Sequence, residues 1–253
     1  MKEYIADQAA TLDHPVVSQQ EWLEARKKLM QKEKELTHLK DDLTRLRMQL
    51  PWVKVEKNYI FQGLDREYTL SDLFDGRSQL IVQHFMLGPD WKEGCPGCSF
   101  LADHVDGALV HLMNHDVSYV AISRGTMADI EPFRKRMGWG FKWVSSNKND
   151  FNYDFHVSAT PEDIANNEMI YNYEKIPVTE KELPGFSVFY KDENGDIFHT
   201  YSTYARGADI LLNTYNFLEL TPKGRNEEDT MDWVKHHDKY QTKAPEAHSC
   251  CSH

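Results

Sequence analysis

Three short apolar segments separated by helical patterns constrain the fold of this chain more than any other feature. Residues 79–86, 117–123 and 141–145 are rich in apolar and β-branched side chains, which is typical of buried strands. Helical patterns occupy residues 96–114 and 126–137 between them. This alternation predicts an α/β fold, a central sheet with parallel neighbouring strands joined by right-handed crossovers and flanked by helices.

The chain after the third strand predicts further elements. Residues 146–183 are rich in Asn, Asp and Tyr, and we interpret them as an insertion lying over the sheet. Residues 186–190 and 197–203 form the clearest hairpin pattern, since the Asn194-Gly195 pair between them suits a tight turn. A helix is predicted over about 208–218.

These patterns divide the chain into three parts. Residues 52–220 are predicted to form the α/β domain, preceded by residues 1–51 with a long helix. Residues 221–253 are polar, and we predict a loosely ordered extension.

A heptad repeat marks the long N-terminal helix. Ser18 and Glu21 fit a capping box at its start, and Pro51 ends it. The apolar residues of its seam alternate at spacings of three and four, and only Lys32 interrupts them. They are Trp22, Ala25, Leu29, Leu36, Leu39, Leu43, Leu46 and Leu50. Two interpretations stay open: the helix pairs with its copy in a homodimer, or it lies across its own domain.

Composition and charge exclude several classes of partner. The formal net charge is −11, which disfavours nucleic acid and anionic membranes as partners. The first residues carry no apolar run, so neither a signal peptide nor a membrane span is expected, and we predict a cytoplasmic location. The four cysteines form two close pairs rather than a disulfide framework. We expect no cofactor.

The segment Gly94-Cys95-Pro96-Gly97-Cys98 lies between a buried strand and a helix. Proline suits the first position of a helix, which places Cys95 at the helix N-terminus, where a thiolate is stabilised. Cys98 follows after about one turn and can close a disulfide with it. We therefore predict Cys95 as the nucleophile and Cys98 as the resolving thiol, with Trp91 and Pro96 as substrate contacts.

Other uses of the cysteines stay open. The thiols can be inert, or they can bind zinc, which usually needs a second pair of ligands. The only such group is the terminal stretch His248–His253, which contains Cys250 and Cys251. These two cysteines can also act as a relay that exchanges with the first pair, and plain disorder is the simplest alternative. We predict no metal site.

Neighbouring charged and imidazole groups give weaker signals. Lys92 favours a thiolate at Cys95 and Glu93 disfavours it, so their effects can cancel. We interpret His84 and His104 as structural histidines, and Arg206 as a surface arginine rather than an anion site.

Nearly the whole chain, from Trp22 to about Tyr240, resembles a bacterial family, DUF899, whose members are described as thioredoxin-like or as candidate dithiol-disulfide oxidoreductases. The resemblance is carried by nine segments: Leu50–Val53, Asp75–Leu80, His84–Met86, Gly94–Phe100, Met137–Trp139, Asp150–Phe155, Phe198–Ser202, Ala205–Gly207 and Thr221–Arg225.

The resemblance implies a thioredoxin-like fold, and residues 123–145 look like the peroxiredoxin-like branch. Peroxiredoxins place Thr or Ser three residues before the reactive cysteine, whereas this chain has Lys92, which argues against peroxidase chemistry. Thioredoxins also carry a substrate-binding cis-proline that faces the dithiol. Pro184 is the best match and Pro177 a weaker one, although Gly185 follows where thioredoxins usually have threonine.

Two functions follow from these observations. The first is thiol-disulfide exchange with a disulfide-containing protein or a small thiol, supported by an unidentified electron donor. The alternative is a non-catalytic binding protein of the same fold, in which the insertion over 146–183 covers a small ligand or a partner protein.

Overall fold

The structure, a computed structural model, describes residues 14–240. Its helices are α1 (Gln19–Met48), α2 (Pro96–Ala102), α3 (Asp106–Asn114), α4 (Met127–Arg136), α5 (Phe151–Asp154), α6 (Pro161–Asn166) and α7 (Asn213–Leu218). Short 3₁₀ helices cover Asp72–Phe74, Ala205–Leu211 and His237–Lys239.

An eight-stranded mixed sheet forms the centre of the molecule. Its strands are β1 (Val53–Lys54), β2 (Ile60–Gln62), β3 (Glu67–Thr69), β4 (Gln79–His84), β5 (Val117–Ser123), β6 (Lys142–Ser145), β9 (Gly185–Lys191) and β10 (Ile197–Tyr204). The spatial order is β1-β10-β9-β4-β5-β6-β2-β3. A separate hairpin pairs β7 (Met169–Tyr171) with β8 (Glu174–Ile176).

The three central strands run parallel, as the strand and helix pattern predicts. β4 pairs with β5 from Gln79 to His84, β5 pairs with β6, and the β9–β10 hairpin adds antiparallel to the free side of β4. The strand order and the antiparallel hairpin beside β4 are those of a thioredoxin-like fold. The predicted fold is therefore confirmed.

Successive side chains of each strand point to opposite faces of the sheet, and each face carries a hydrophobic core. One face packs Phe85, Tyr119 and Phe186 against α2 and α4, and the other packs Leu80, Val82 and their neighbours against the 3₁₀ turn at 72–74 and α5. The dithiol lies on the face that carries Phe85 and Phe186.

Two predicted helices differ in detail from the structure. The helix expected over 96–114 is two helices, because the chain turns at Asp103–Val105 before α3 begins. The helix expected over about 208–218 begins as a 3₁₀ helix at Ala205, and only its second half is α-helical. The hairpin turn spans residues 192–196, and only Gly195 has a positive φ, of 86°.

The long helix stands away from the body of the chain. The predicted capping box is present, with the Glu21 amide donating to Ser18 Oγ at 3.3 Å, and none of the helix residues is buried. The interpretation that α1 lies across its own domain is therefore wrong. Its apolar seam has no cover within residues 14–240.

The chain after Thr221 contacts the body of the protein at a few points. Up to Tyr240 it packs back on the first core, where Val234 and His236 are 8% and 3% exposed. These two side chains attach the stretch to the core, whereas most of its other residues are exposed turns, and a loosely ordered extension stays a prediction. Cys250 and Cys251 lie outside the described residues.

Over residues 14–240, none of the helices combines the length and the apolar character that crossing a membrane requires.

Candidate active site

The dithiol lies at the junction of a loop and α2. Cys95 has an extended backbone at the position that caps α2, and Pro96 occupies the first helical turn. The backbone amide and hydroxyl of Ser99 both donate to the Cys95 carbonyl, at 3.0 and 2.9 Å. These contacts start the helix directly after Cys95 and leave its thiol at the helix N-terminus, as the sequence predicts.

Met86, just after β4, holds both cysteines through its backbone. Its carbonyl accepts from the Cys95 amide at 3.0 Å, and its amide donates to the Cys98 sulfur at 3.5 Å. Both thiols are free, but Cys98 is buried whereas Cys95 is partly exposed. A substrate can therefore reach Cys95 more readily than Cys98.

The pKa values of the two thiols are shifted in opposite directions. A hydrogen bond from the Cys98 thiol lowers the pKa of Cys95 to about 6, and the backbone amides of Cys98 and Gly97 act in the same direction against burial and Glu180. The same hydrogen bond and complete burial raise the pKa of Cys98 well above its usual range. At neutral pH Cys95 is the thiolate and Cys98 the thiol that stabilises it.

A buried polar pair behind the dithiol fixes the start of α2. Gln83, on β4, donates from its side-chain amide to the Cys98 carbonyl at 3.2 Å, and its side-chain oxygen accepts from the Tyr119 hydroxyl. Both side chains are more than nine-tenths buried. This pair was not predicted, because its only signal in the sequence is a glutamine inside an otherwise apolar strand.

A cavity of about 140 Å³ opens beside the dithiol. Its walls come from β4, α2, β9 and the C-terminal stretch: Gln83, His84, Cys95, Gly97, Cys98, Leu101, Pro184, Gly185, Phe186, Ala205, Ala208, Asp209, Leu212 and Met231. The structure thus brings Pro184 to the two cysteines. Trp91 and Pro96 are not part of these walls; Pro96 is exposed, and Trp91 packs beside Gly88.

The interpretation of Pro184 as a cis-proline is wrong, since every peptide bond of residues 14–240 is trans. Pro184 enters β9 directly, and its carbonyl accepts from the Tyr171 hydroxyl at 2.7 Å. The following Gly185 lies against the Tyr204 ring, where a Cβ atom would come within 2.5 Å of a ring carbon. Pro177 precedes this region and is not among the cavity residues.

A protein-family comparison supports the resemblance that the motifs indicate. The model of a family described as "Bacterial protein of unknown function (DUF899)" matches residues 11–240. The chain belongs to the DUF899 family. A search of curated proteins finds no match.

Several solved structures resemble this DUF899 chain at low sequence identity. Peroxidoxin BcpB from Mycobacterium tuberculosis is 15% identical, with 65% of this chain and 95% of that chain covered at a TM-score of 0.41. A candidate thiol:disulfide interchange protein, DsbE, from Chlorobium tepidum is 12% identical, with 66% and 95% covered at 0.40. A candidate protein disulfide isomerase from Bacteroides thetaiotaomicron is 16% identical, with 66% and 91% covered at 0.38.

The charged neighbours of the dithiol in this DUF899 chain differ from the prediction. Glu93 is paired with Arg136 and Lys239, and Lys92 is exposed. The carboxylate that raises the pKa of Cys95 is Glu180, from the stretch that precedes β9. Neither Lys92 nor Glu93 is therefore among the main groups that shift the pKa of Cys95.

The other side chains singled out in the sequence each bond a neighbour in the fold, although Nδ1 of both His84 and His104 has no partner among residues 14–240. His84 Nε2 bonds Ser187 Oγ at 2.7 Å, and His104 Nε2 bonds Thr214 Oγ1 at 2.8 Å. Arg206 pairs with Asp209 at 3.0 Å. Burial lowers the pKa of His84 to about 3, so this imidazole is neutral.

The C-terminal stretch contributes residues that sequence analysis missed. Met231 lines the dithiol cavity, and His236 Nε2 bonds the Gly94 carbonyl at 2.8 Å. The only sequence signal is the apolar pair Trp233-Val234 within a polar segment.

Within the described part of the chain, no cluster of three or more His, Cys, Asp or Glu side chains is arranged to hold a metal ion. The terminal cysteine and histidine group considered for zinc lies beyond Tyr240 and is not described.

Proposed function

We propose that this protein catalyses thiol-disulfide exchange through Cys95 and Cys98. The observation that carries the proposal is the asymmetry of the pair: an accessible thiolate with a pKa of about 6 hydrogen-bonded to a buried thiol whose pKa is raised. The low pKa of Cys95 supplies the attacking thiolate, and the neutral thiol of Cys98 can resolve the mixed disulfide.

The exchange has two steps. The Cys95 thiolate attacks one sulfur of a substrate disulfide, that S–S bond breaks, and the first thiolate leaves with a proton from solvent. The Cys98 thiol then gives up its proton as its sulfur attacks Cys95 of the mixed disulfide. The second substrate thiol is released, and the protein retains an internal disulfide, having given two electrons to the substrate. An external dithiol is the class of reductant that would restore it.

Lys92 supports exchange rather than peroxide reduction. It occupies the place three residues before Cys95 where peroxiredoxins carry a hydroxyl side chain, and it is exposed to solvent.

Two single variants test the mechanism. Cys98→Ser should trap a covalent adduct on Cys95 when the reduced protein meets a disulfide, because the resolving thiol is absent. Cys95→Ser should form no adduct at this site. Intact-mass spectrometry distinguishes the two outcomes. If Cys95→Ser reduces model disulfides as fast as the unmodified chain, the proposal fails.

A second candidate function is binding without catalysis, which the apolar cavity beside the dithiol favours. In that case the purified protein should carry a small apolar ligand, and Cys95 should react with disulfides no faster than an ordinary exposed thiol. Native mass spectrometry of the freshly purified protein tests the first point.

A further inference from the structure

The cavity beside Cys95 suits only a small apolar group. A volume of about 140 Å³ is close to that of engineered cavities of about 150 Å³ that bind benzene. Leu101, Phe186 and Leu212 form much of its wall. The one carboxylate there, Asp209, is paired with Arg206 and Arg225. A charged tripeptide such as glutathione fits neither the size nor the chemistry of this cavity.

Met231 is a partly exposed residue of the cavity wall, next to the dithiol. Its sulfur lies 2.9 Å from the point that a Cβ on Gly97 would occupy, and the Cys95 sulfur lies 3.8 Å from the same point. Met231 adopts a left-handed backbone with φ 64°, which is uncommon for a residue with a side chain. The surroundings must therefore hold it in place.

Glu227 and its partners hold Met231. One oxygen of the Glu227 carboxylate accepts from the Met231 amide at 3.3 Å, from the Trp233 indole at 2.8 Å and from the Tyr215 hydroxyl. Tyr215 is fully buried in the core. The rigid core thus fixes the position of the methionine through a single carboxylate.

The same stretch is fastened to the loop before the dithiol. His236 bonds the Gly94 carbonyl, and Glu93 pairs with Lys239 and Arg136. An extended polypeptide that approached Cys95 beside Gly97 would have to displace this stretch.

We infer that residues 227–239 form a selectivity strap, with Met231 as the specificity-determining residue. The strap admits small disulfides bearing an apolar or aromatic group and excludes glutathione disulfide and extended peptides. This inference rests on the proposed function, since it concerns which disulfide reaches Cys95.

Single-turnover oxidation of the pre-reduced full chain tests the strap. The probes are 4,4′-dithiodipyridine, which is small, aromatic and uncharged, and glutathione disulfide. Met231→Ala should change the ratio of the two rates by about tenfold in favour of glutathione disulfide, the factor equivalent to ~1.4 kcal/mol of steric exclusion. Glu227→Gln should shift the ratio in the same direction, because it weakens the hold on Met231. Met113→Ala, at an exposed methionine on α3, is the matched control.

The outcomes separate the two proposals. If 4,4′-dithiodipyridine oxidises Cys95 and Cys98 but neither strap variant changes the rate ratio, the strap is wrong and the exchange function stands. If neither probe forms the internal disulfide in any variant, the exchange function itself is wrong.

A separate observation concerns the exposed helix α1. Its seam side chains remain uncovered, with Trp22 and the leucines from Leu29 to Leu46 exposed by 42–59%. The helix has 30 residues and is about 45 Å long. An apolar stripe of this length, interrupted only at Lys32, is typical of a coiled-coil seam.

Charges beside the seam identify the partner. With Trp22 at position a, positions g and e carry charges that pair across a parallel two-stranded coil between residues i and i+5. All four such pairs are opposite in sign: Glu21 with Arg26, Lys28 with Glu33, Glu35 with Lys40, and Asp42 with Arg47. The full-length antiparallel overlap would instead make only half of the pairs opposite in sign, since it places Arg26 near Arg47 of the partner subunit and Glu21 near Asp42 of the partner subunit.

We propose that α1 forms a parallel, in-register coiled coil with a second copy of this chain. Lys32 occupies the one polar seam position and reaches outward to Glu35 at 2.9 Å. It weakens the seam locally, so Lys32→Leu should tighten the dimer.

Charge reversal tests the pairing. Glu35→Lys should raise the dimer dissociation constant by about tenfold, since two pairs per dimer change from attraction to repulsion. Adding Lys40→Glu should restore it. Sedimentation equilibrium of the full chain measures both. Glu24→Lys, on the outer face of the helix, is the control.

Cross-linking tests the orientation. In a chain whose native cysteines are replaced by serine, Leu36→Cys should oxidise to a covalent dimer with itself. A mixture of Leu36→Cys and Lys32→Cys chains that cross-links only between the two types would show the antiparallel form. That result, or a monomer at all concentrations, overturns the proposal.

Discussion

At the scale of single residues, the hydrogen bond between the two thiols determines which one is reactive. Alkylation of the reduced protein with iodoacetamide should follow the ionisation of Cys95, half-maximal near pH 6, since only the thiolate attacks. The rate should fall as the pH drops below this value and level off above it. Cys98→Ser replaces the thiol whose hydrogen bond stabilises the Cys95 thiolate most. The midpoint should move if the serine hydroxyl donates a hydrogen bond of a different strength. The unfolded chain, with a midpoint near 9, is the control.

An unchanged midpoint in Cys98→Ser and also in Cys98→Ala would contradict this account. In Cys98→Ala no donor remains in the side chain, so the midpoint must rise toward the ordinary cysteine value.

Gln83 and Tyr119 form a second unit at this scale. Gln83→Leu should lower the free energy of unfolding by roughly 1–3 kcal/mol, because the buried Tyr119 hydroxyl loses its acceptor. Adding Tyr119→Phe should recover part of that loss, since the hydroxyl left without an acceptor is then absent. Urea unfolding of the four chains completes the cycle. Strictly additive losses would show that the pair is not coupled.

At the scale of elements, the stretch before β9 is fixed to the sheet by a buried ion pair. Glu182 is 3% exposed and pairs with Arg124 at 3.0 Å, while the Arg124 guanidinium lies over the Tyr153 ring. Glu182→Ala should cost about 2–4 kcal/mol of unfolding free energy, because it leaves the arginine without its partner. Glu168→Ala, which breaks the exposed pair with Lys175, should cost at most about 0.5 kcal/mol. Equal effects in urea unfolding would contradict the role assigned to burial.

The accuracy of the sequence predictions also differs by element. β5 occupies the predicted residues 117–123, because a buried strand needs apolar side chains on both faces and the local pattern records that requirement. The boundary between α2 and α3 was missed, since no glycine or proline marks the turn at Asp103–Val105. A helix end set by packing leaves little local signal.

Some residues of the candidate active site could likewise be predicted from the sequence, and others could not. Cys95, Cys98 and the proline between them are adjacent in the chain, so their placement at the start of α2 was predictable. Met231 and His236 meet the dithiol only because the chain returns over 130 positions later to contact Gly94 and Gly97. Such contacts depend on the whole fold, and a single sequence does not show them.

At the scale of the whole molecule, the buried imidazole of His84 links folding to pH. Its ring centroid lies 5.7 Å from those of both Phe151 and Phe155, one ring nitrogen bonds the Ser187 hydroxyl, and the other has no partner among residues 14–240. Because burial lowers its pKa to about 3, the folded protein leaves this group neutral at pH values where the unfolded chain protonates it, below about 6.5. Stability should therefore fall as the pH decreases from about 6.5 toward 3.

His84→Gln tests this link, because glutamine keeps a polar partner for Ser187 but does not titrate. Between pH 7.5 and 5 the unmodified chain should lose about 2 kcal/mol more unfolding free energy than the variant, the linkage for ~1.5 pH units below the unfolded pKa. The comparison stops at pH 5 because carboxylates begin to titrate below it. His199, whose pKa is also lowered by burial, is present in both chains, and its charge is the second cause of the lowered pKa of His84. Parallel pH profiles in urea unfolding would show that His84 accepts a proton in the folded state.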